Sequence, residues 1–341
     1  MASGSSRCRD STSCMSATIA TPPPPRYPCR MSSALKFALI GGTGLGDALG
    51  LSDPASYIRH VVPTPFGSTS SDILETTWPT PDGPLPVLLL KRHGDGHLLN
   101  PTTVPYRANI YALKSLGVTH ILASGAVGSL REEIKPRDLV IVDQVIDKTT
   151  KRPNTFFESA AVHVEFAHPF CPALRNLLTA AAKDLPDTKV HTVGTYVCME
   201  GPAFSTRAES LMHRLWGGDV IGMTAMPEAR LAREAEIAYA LLALSTDFDC
   251  WKSHPPRPVS QSPDQVELSL LQEIIGHLQS ATTNALELLK HAITLAPSHQ
   301  TQLLASPALH ALKLAIWSDK SRIPPPEVQR LHTLWGKYFT P

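Results

Sequence analysis

The sequence predicts an α/β fold with one large domain of alternating strands and helices. Two observations support this prediction. From residue 36 onward, short aliphatic runs rich in β-branched residues alternate with helical patterns. In addition, 43% of the 341 residues are hydrophobic and 18% are charged, so the chain can bury a large core. We therefore expect a soluble globular protein whose ligands bind where the strands end.

The strands and helices can be placed from these patterns. Strands are predicted at residues 37–40, 87–90, 120–124, 139–142, 192–198, 220–223 and 241–246. Helices are predicted at 106–116, 173–184 and 227–238, and a long amphipathic helix at 266–288. Most polar candidate residues then follow the carboxyl ends of strands, where open α/β sheets form ligand sites.

The two ends of the chain differ in composition from its middle. Residues 1–34 are rich in Ser, Thr and Pro and are predicted to be a disordered leader. This leader contains four arginines and one acidic residue, a composition that resembles an organelle transit peptide. The alternative is an upstream extension that precedes a second translation start at Met31. Residues 35–295 form the predicted domain. Residues 296–341 form a C-terminal extension whose role the sequence does not indicate.

The composition excludes several classes of partner. A formal net charge of +1 gives no electrostatic attraction to nucleic acid or to an anionic membrane surface. No uninterrupted apolar run approaches the roughly 18 residues of a membrane span. The six cysteines show no CxxC spacing, so neither a zinc site nor a disulfide framework is indicated. We expect a cytoplasmic protein without a bound metal, with the nucleus or an organelle as alternative locations.

A glycine run follows the first predicted strand. The sequence GGTGLG at 41–46 lacks the third glycine of a dinucleotide fingerprint, because Asp47 or Leu49 stands at the required position. A nicotinamide-dependent dehydrogenase is therefore disfavoured. Backbone N–H groups and the hydroxyl of Thr43 can still bind an anion, although an ordinary tight turn has the same composition.

Other predicted strands also end in groups that bind anions. Arg92 and His93 follow strand 87–90, and a guanidinium is a planar fork that suits phosphate. The small-residue sequence GAVGS at 125–129 follows strand 120–124, and Thr224 follows strand 220–223. Any one of these could be a solvated surface group, but their convergence on one sheet edge favours an anion site.

Two carboxylates and one aromatic residue complete the set of candidates. Asp247 and Asp249 follow the apolar run 237–244, where a buried carboxylate needs a partner. Residue alternation in an extended chain places both on one side, with Phe248 turned away. In EGPAFSTRAE at 200–209, Phe204 beside Ser205 could stack on a flat heterocycle. The alternative is that Phe204 belongs to the core.

The motifs, taken in order, resemble the trimeric purine nucleoside phosphorylase superfamily over roughly residues 36–290. They are GGTGL at 41–45, RHGDGH at 92–97, YRANIYALK at 106–114, GSLREEI at 128–134, EGPAFSTRAES at 200–210, MTAMPE at 223–228 and TDFDCWK at 246–252. The resemblance implies a single domain with a central mixed sheet or distorted barrel surrounded by helices, assembled as a homotrimer. It also implies that inorganic phosphate, a co-substrate, attacks the anomeric carbon of methylthioadenosine in purine and methionine salvage, without a cofactor. The products are adenine and 5-methylthioribose 1-phosphate.

The resemblance also implies a role for each matching residue. Asp247 would protonate N7 of the departing adenine, since burial raises the pKa of a carboxyl, and Asp249 would hold the 6-amino group. The implied phosphate ligands are Thr43, Arg92, His93, Gly125, Ala126 and Thr224. The implied nucleoside contacts are Met223 under the ribose, Phe204 and Ser205 beside the base, His97 near the 5′-alkylthio group and His163 from a neighbouring subunit.

Two positions favour a 6-aminopurine. Relatives that use 6-oxopurines carry Asn in place of Asp247 and Glu in place of Ser205, and a carboxylate accepts hydrogen bonds from an amino group. A mismatched base would leave buried polar groups unpaired, at a cost of about 1 to 3 kcal/mol per group. The alternatives are a 6-oxopurine nucleoside or methylthioinosine phosphorylase, a hydrolytic nucleosidase, and a nucleoside-binding protein without activity.

Two features depart from the family pattern. The animal enzymes have Thr where this chain has Gly125, so a phosphate contact there is reduced to the backbone or passes to Ser124. The Pro-rich segment 255–263 does not align with the family segment that supplies an apolar residue to the methylthio pocket. The selectivity for the 5′-substituent is therefore open at the level of sequence.

Overall fold

The structure, a computed structural model, describes residues 34–42, 53–252 and 263–339. Within these residues, eleven strands join into one mixed sheet with helices packed around it, which confirms the predicted α/β fold. The strands are β1 Phe37–Gly41, β2 Ile58–His60, β3 Ile73–Trp78, β4 Leu85–Lys91, β5 His120–Ser129, β6 Leu139–Ile141, β7 Gln144–Asp147, β8 Val190–His191, β9 Thr195–Cys198, β10 Val220–Gly222 and β11 Ala238–Phe248. The longer helices are α1 Tyr106–Ser115, α2 Pro172–Ala181, α3 Arg207–Leu215, α4 Glu228–Glu234 and α5 Pro263–Leu295.

Three predictions fall outside the described residues. They are the leader apart from its last residue, the glycine-loop residue Thr43, and the Pro-rich segment 255–262. No helix in the described ranges is both long and apolar enough to cross a membrane.

Strand β5 is the branch point of the sheet. It pairs in parallel with β1 over its first half and in parallel with β11 over its whole length, and its last two residues pair antiparallel with β10. One path runs β2-β3-β4-β1-β5-β10-β9-β7, while β11 continues to β6 and then β8. The carboxyl-terminal half of β5 therefore lies between β10 and β11, where the predicted site residues are located.

Alternate residues of the central strands face two separate hydrophobic cores. In β1, Ala38 and Ile40 pack in a core that includes helices α1 and α4, whereas Phe37 and Leu39 pack in a core that includes α2 and α5. All four side chains are fully buried. This period of two is the expected geometry of a strand covered on both faces. Since both faces are covered, the ends of the strands are the accessible parts of the sheet.

Most predicted elements differ in their boundaries from those in the structure, and two of them begin late or end early. The helix predicted at 227–238 is Glu228–Glu234. It ends early because Glu236 has φ 53°, and the backbone N–H of Ala238 already donates to Thr119 O at 3.0 Å. The strand predicted at 192–198 begins only at Thr195, after the two-residue strand β8. Strands β2, β3, β7 and β8 were not predicted, since most are too short to give a pattern.

The C-terminal segment 296–339 packs onto the same cores as the rest of the chain. Leu331, Leu334 and Trp335 are buried, and the Trp335 ring lies 4.7 Å from the ring of Phe157. Lys337 Nζ lies 2.6 Å from Oε2 of the buried Glu236. This segment consists of short helical turns rather than irregular chain, including Gln300–Leu304, Pro325–Arg330 and His332–Trp335.

Candidate active site

Arg92 directly follows β4 and forms a buried ion pair with Glu228. Its Nε and Nη2 donate to the two carboxylate oxygens of Glu228 at 2.7 and 2.8 Å, and Nη1 donates to Ser124 O at 2.8 Å. Tyr239 Oη also donates to Glu228 Oε1, at 2.8 Å. A guanidinium has five N–H groups, so these three bonds leave two for a ligand. The bidentate contact fixes the plane in which those two groups point.

The backbone of Arg92 also joins two strand ends. Its N–H donates to Gly41 O at 2.9 Å, so the chain leaving β4 lies against the chain leaving β1. Gly41 begins the glycine run that continues to Thr43. The described end of β1 therefore lies beside Arg92, whereas Thr43 is outside the described residues.

His93 is a buried histidine whose tautomer is set by its partner. Its Nδ1 lies 2.8 Å from Leu99 O, and a carbonyl oxygen only accepts, so Nδ1 carries the proton. Burial, the nearby charge of Arg92 and the neighbouring His97 lower the pKa of His93 to about 4. The ring is therefore neutral near pH 7, and its Nε2 is a hydrogen-bond acceptor.

Gly125 and Ala126 lie within β5 rather than in a loop after it. The sequence suggested a loop at 125–129, but β5 continues to Ser129 because these residues pair with Ala243–Phe248 of β11. Gly125 adjoins Thr224: a Cβ at residue 125 would lie 3.2 Å from Thr224 Oγ1. Ala126 is exposed at this point of the strand. The strand thus brings two of the predicted phosphate residues beside a third.

The two aspartates both lie near one glycine, Gly128. A Cβ built on Gly128 would lie 3.3 Å from Asp249 Cβ and 3.6 Å from Asp247 Oδ2. The register of β11 against β5 shifts between Ser245 and Asp247, which places one extra residue in the strand just before the pair. Both aspartates therefore face the same part of β5, as the alternation predicted.

The immediate partners of the two carboxylates differ. Thr246 Oγ1 donates to Asp247 Oδ1 at 2.6 Å. Asp249 is 9% exposed, and within the described residues no donor reaches its buried Oδ2. A buried carboxylate oxygen without a donor is costly, so Asp249 Oδ2 retains the capacity to accept a further hydrogen bond. Phe248 points elsewhere, with its ring 5.9 Å from the ring of Trp251.

The loop with Phe204 and Ser205 lies next to the carboxylates. Cys250 Sγ donates to Ser205 O at 3.2 Å, which joins the loop to the end of β11. Phe204 is 86% exposed, so the alternative that it belongs to the core is wrong. A capping box between Thr206 and Glu209 begins helix α3 immediately after the loop. The loop therefore ends at the capped first turn of α3, and its aromatic residue Phe204 is exposed.

Met223 contacts the beginning of the same loop. Gly201 has φ 69°, and a Cβ at that position would lie 2.5 Å from Met223 Sδ. Residue 201 must therefore be glycine for two reasons, its backbone conformation and the close approach of Met223. Met223 precedes Thr224, so the segment with the predicted ribose contact continues directly into the predicted phosphate contact.

Of the two other predicted histidines, one lies in this group and one does not. The ring of His97 stacks on that of His93 with centroids 4.2 Å apart. His163 is exposed, and its backbone N–H donates to Ala315 O at 2.9 Å. Its ring packs edge-on against the ring of Trp317, with the centroids 4.7 Å apart. Its contacts in this chain are with the C-terminal segment, not with the carboxylates.

Several residues of the site were not assigned a role from the sequence. Glu228 belongs to the motif MTAMPE, and its position after a strand end was a usable signal for a charged partner of Arg92. Gly128 carries no side chain, so no feature of the sequence indicated that it lies beside the two aspartates. Arg152 lies outside every motif of the family resemblance. In the described ranges, no group of three His, Cys, Asp or Glu residues could hold a metal ion.

The arrangement brings together groups that can bind an anion and groups that can accept hydrogen bonds from a heterocycle. Arg92 and Thr224 carry donors near Gly125, whereas Asp247 and Asp249 carry carboxylates near Gly128, three residues further along β5. Such a site can bind an anion beside a ligand that carries an amino group.

Comparisons with known proteins agree with this geometry. The model of the phosphorylase superfamily matches residues 36–294. The S-methyl-5′-thioadenosine phosphorylase of Thermosynechococcus vestitus is 46% identical over 307 residues, which are 89% of this chain and 99% of that relative. The enzyme of the same name from Xenopus tropicalis is 49% identical over 227 residues, which are 65% of this chain and 78% of that relative.

Solved structures give the same result. The crystal structure of a methylthioadenosine phosphorylase from an Antarctic soil metagenomic library superposes with a TM-score of 0.75 at 42% identity, covering 89% of this chain and 99% of that one. A variant of the adenosine/methylthioadenosine phosphorylase of Schistosoma mansoni, in complex with methylthioadenosine, gives 0.70 at 34% identity and covers 83% of this chain and 99% of that one. The chain therefore belongs to the phosphorylase superfamily.

Proposed function

We propose that this chain catalyses the phosphorolysis of S-methyl-5′-thioadenosine to adenine and 5-methylthioribose 1-phosphate, a salvage reaction. The observation that carries the proposal concerns two glycines of β5: Asp247 and Asp249 lie beside Gly128, and Thr224 lies beside Gly125. Carboxylates that can accept from an amino group and a hydroxyl that can bind an anion thus lie beside glycines three residues apart along β5. The names of the relatives point to the same substrate.

The chemistry assigns a role to each group. A phosphate oxygen attacks the anomeric carbon, the bond to the base breaks, and its electron pair moves into the purine. Adenine is a poor anionic leaving group, so N7 takes a proton from Asp247 as the bond breaks. Because Thr246 donates to Asp247 Oδ1, we assign that proton to Oδ2. Asp249 Oδ2 accepts a hydrogen bond from the 6-amino group.

Phosphate is the co-substrate, and the residues around Arg92 suit it without a cofactor. The two remaining N–H groups of Arg92 and the Thr224 hydroxyl donate to phosphate oxygens. The acceptor Nε2 of His93 takes a hydrogen bond from a protonated phosphate oxygen. The bound anion then stabilises the positive charge that develops on the ribosyl group, which is a preorganised electrostatic effect.

We also propose that the chain is a homotrimer in which His163 reaches a neighbouring site. Its exposed position beside Trp317 supports this proposal, because Trp317 is 71% exposed and the nearby Leu314 is 84% exposed. Large apolar side chains grouped on a surface are typical of interfaces. A second copy of the chain would cover them and bring His163 next to another subunit's nucleoside.

The first prediction concerns phosphate dependence. We expect adenine release from methylthioadenosine to require inorganic phosphate, and we expect a preference of about 10² over methylthioinosine, since a 6-oxo group leaves carboxylates unpaired. Base release measured with and without phosphate tests this. Equal rates without phosphate would indicate a hydrolytic nucleosidase, and faster hypoxanthine release would indicate a 6-oxopurine phosphorylase.

The second prediction concerns the proton donor. Asp247→Ala should lower kcat by on the order of 10² to 10⁴, the usual contribution of a general acid. Steady-state turnover of the variant measures this, with Asp184→Asn as a control because Asp184 is exposed and lies outside the site. If Asp247→Ala kept most of the activity, another group would have to protonate the base.

The third prediction concerns Gly128. The Cβ of Gly128→Ala would lie 3.3 Å from Asp249 Cβ and 3.6 Å from Asp247 Oδ2, so Asp249 would have to move by a few tenths of an ångström. We expect kcat/KM for the nucleoside to fall by about 10²-fold with little change in thermal stability. Gly276→Ala is the matched control, because a Cβ there meets no atom within 4 Å. Unchanged kinetics in Gly128→Ala would mean that the carboxylates do not contact the base from this position.

The fourth prediction concerns assembly. Sedimentation equilibrium should give three times the chain mass of 36.9 kDa, and Trp317→Ser should weaken the assembly because it removes an exposed apolar contact. A wild-type mass equal to that of one chain would rule out the trimer.

A further inference from the structure

Arg152 is a buried arginine that contacts two segments of the active site at once. Its side chain is 1% exposed. Nη1 donates to Met223 O at 2.6 Å and to Met226 O at 2.7 Å, while Nη2 donates to Glu200 O at 2.5 Å. Nε donates to Glu200 Oε1 at 2.9 Å. One guanidinium thus binds the backbone on both sides of Thr224 and the residue that begins the loop with Phe204.

Glu200 extends this set of bonds to further segments. Its Oε2 accepts from the backbone N–H groups of Thr150 and Lys151 at 2.6 and 3.0 Å, and its Oε1 accepts from Thr102 Oγ1 at 3.0 Å. Partial burial opposes the charge, but these N–H groups and Arg152 outweigh it and lower the pKa of Glu200 to about 2. The carboxylate is therefore ionised throughout the physiological range and paired with a permanent cation.

The bonds of this pair lie between the two halves of the site. Met223 and Thr224 belong to the half assigned to ribose and phosphate, whereas Phe204 and Ser205 belong to the half assigned to the base. The two halves meet where Met223 Sδ approaches Gly201, immediately after Glu200. The pairing of β9 with β10 joins the two halves as far as the bond from the Met199 N–H to Gly222 O at 2.9 Å. Beyond these strand ends the contact between Met223 and Gly201 is apolar, and Arg152 supplies directional bonds to both segments.

We propose that Arg152 and Glu200 are a positioning pair that fixes the base loop against the phosphate segment, so that binding of either substrate favours binding of the other. This inference rests on the proposed function, because it assigns the two halves to phosphate and nucleoside. Neither residue needs to contact a substrate. The pair acts through the backbone carbonyl oxygens of Met223, Met226 and Glu200.

The geometry makes arginine a requirement at residue 152. A lysine ammonium is a single point charge with three N–H donors. It cannot reach the carbonyl oxygens of Met223 and Met226 on one segment and also the carboxylate and carbonyl oxygen of Glu200 on the other. Arg152→Lys therefore keeps the charge but releases part of the contact. Glu200→Gln keeps the size of the side chain but removes the charge and one of its acceptor oxygens.

The test is steady-state kinetics of Arg152→Lys, Glu200→Gln and the double variant, normalised to the folded fraction by near-ultraviolet circular dichroism. We expect kcat/KM for methylthioadenosine to fall by about 10²-fold and KM for both substrates to rise together. The double variant should lose about as much as either single variant, because the two residues act as one unit. Arg131→Lys is the matched control. Arg131 Nε donates to Asp219 Oδ1 at 2.8 Å, and Asp219 Oδ2 accepts from the backbone N–H of Thr195, the first residue of β9.

Each alternative result is distinguishable. If the variants unfold more easily but their folded fraction keeps wild-type KM values for both substrates, the pair is only structural and the proposal fails. A rise in KM for one substrate alone would also overturn it. If the wild type itself does not release adenine, the proposed function fails, and calorimetric titration with adenine and with inorganic phosphate still tests the pair. Arg152→Lys should then weaken both by about tenfold, and wild-type affinity for both would overturn the proposal.

Discussion

The pairing of β5 with three different strands is the constraint on which the site depends. Its first residues pair with β1, its whole length pairs with β11, and its last residues pair with β10. Gly125 and Gly128 leave little room where these strands approach, because a Cβ would lie 3.2 Å from Thr224 Oγ1 at residue 125 and 3.4 Å from Ile221 Cγ2 at residue 128. A bulky residue at either glycine would push these neighbours away. The space beside the two glycines is consequently the place where the proposed function puts both the phosphate and the base.

The two buried arginines near this space each form an ion pair with a glutamate of the same chain. Arg92 is bound to Glu228 and Arg152 to Glu200, and in each pair the arginine side chain is 1% exposed. An unpaired charge at such a depth would cost several kcal/mol, so each partner is required for the other to remain ionised. The pairs also hold separate chain segments: one joins β4 to helix α4, and the other joins the loop after β9 to the segment after β10. The electrostatic arrangement and the shape of the site are therefore set by the same contacts.

Much of this arrangement could be predicted from the sequence, and the exceptions have physical reasons. Aliphatic runs indicated β1, β4 and β10. The rule that ligand groups follow the ends of strands then selected Arg92, His93 and Thr224 as candidate residues. The glycines of β5 suggested a loop because glycine has low strand propensity, but pairing with β11 outweighed that preference. Arg152 could not be found, since its function depends on which distant carbonyl oxygens the fold brings to it. The roles of the individual residues in binding stay predictions until the variants are measured.

The neutral state of His93 has a consequence for which anions the proposed site accepts. Its Nδ1 proton is held by Leu99 O, so Nε2 can only receive a hydrogen bond. Inorganic phosphate keeps a proton near pH 7 and can supply that bond, whereas sulfate has the same shape but no proton to give. Facing sulfate, the ring would set a lone pair against an oxygen lone pair in a buried position, which is unfavourable. A histidine that has lost its charge through burial would thus let the enzyme tell apart two tetrahedral anions of nearly equal size.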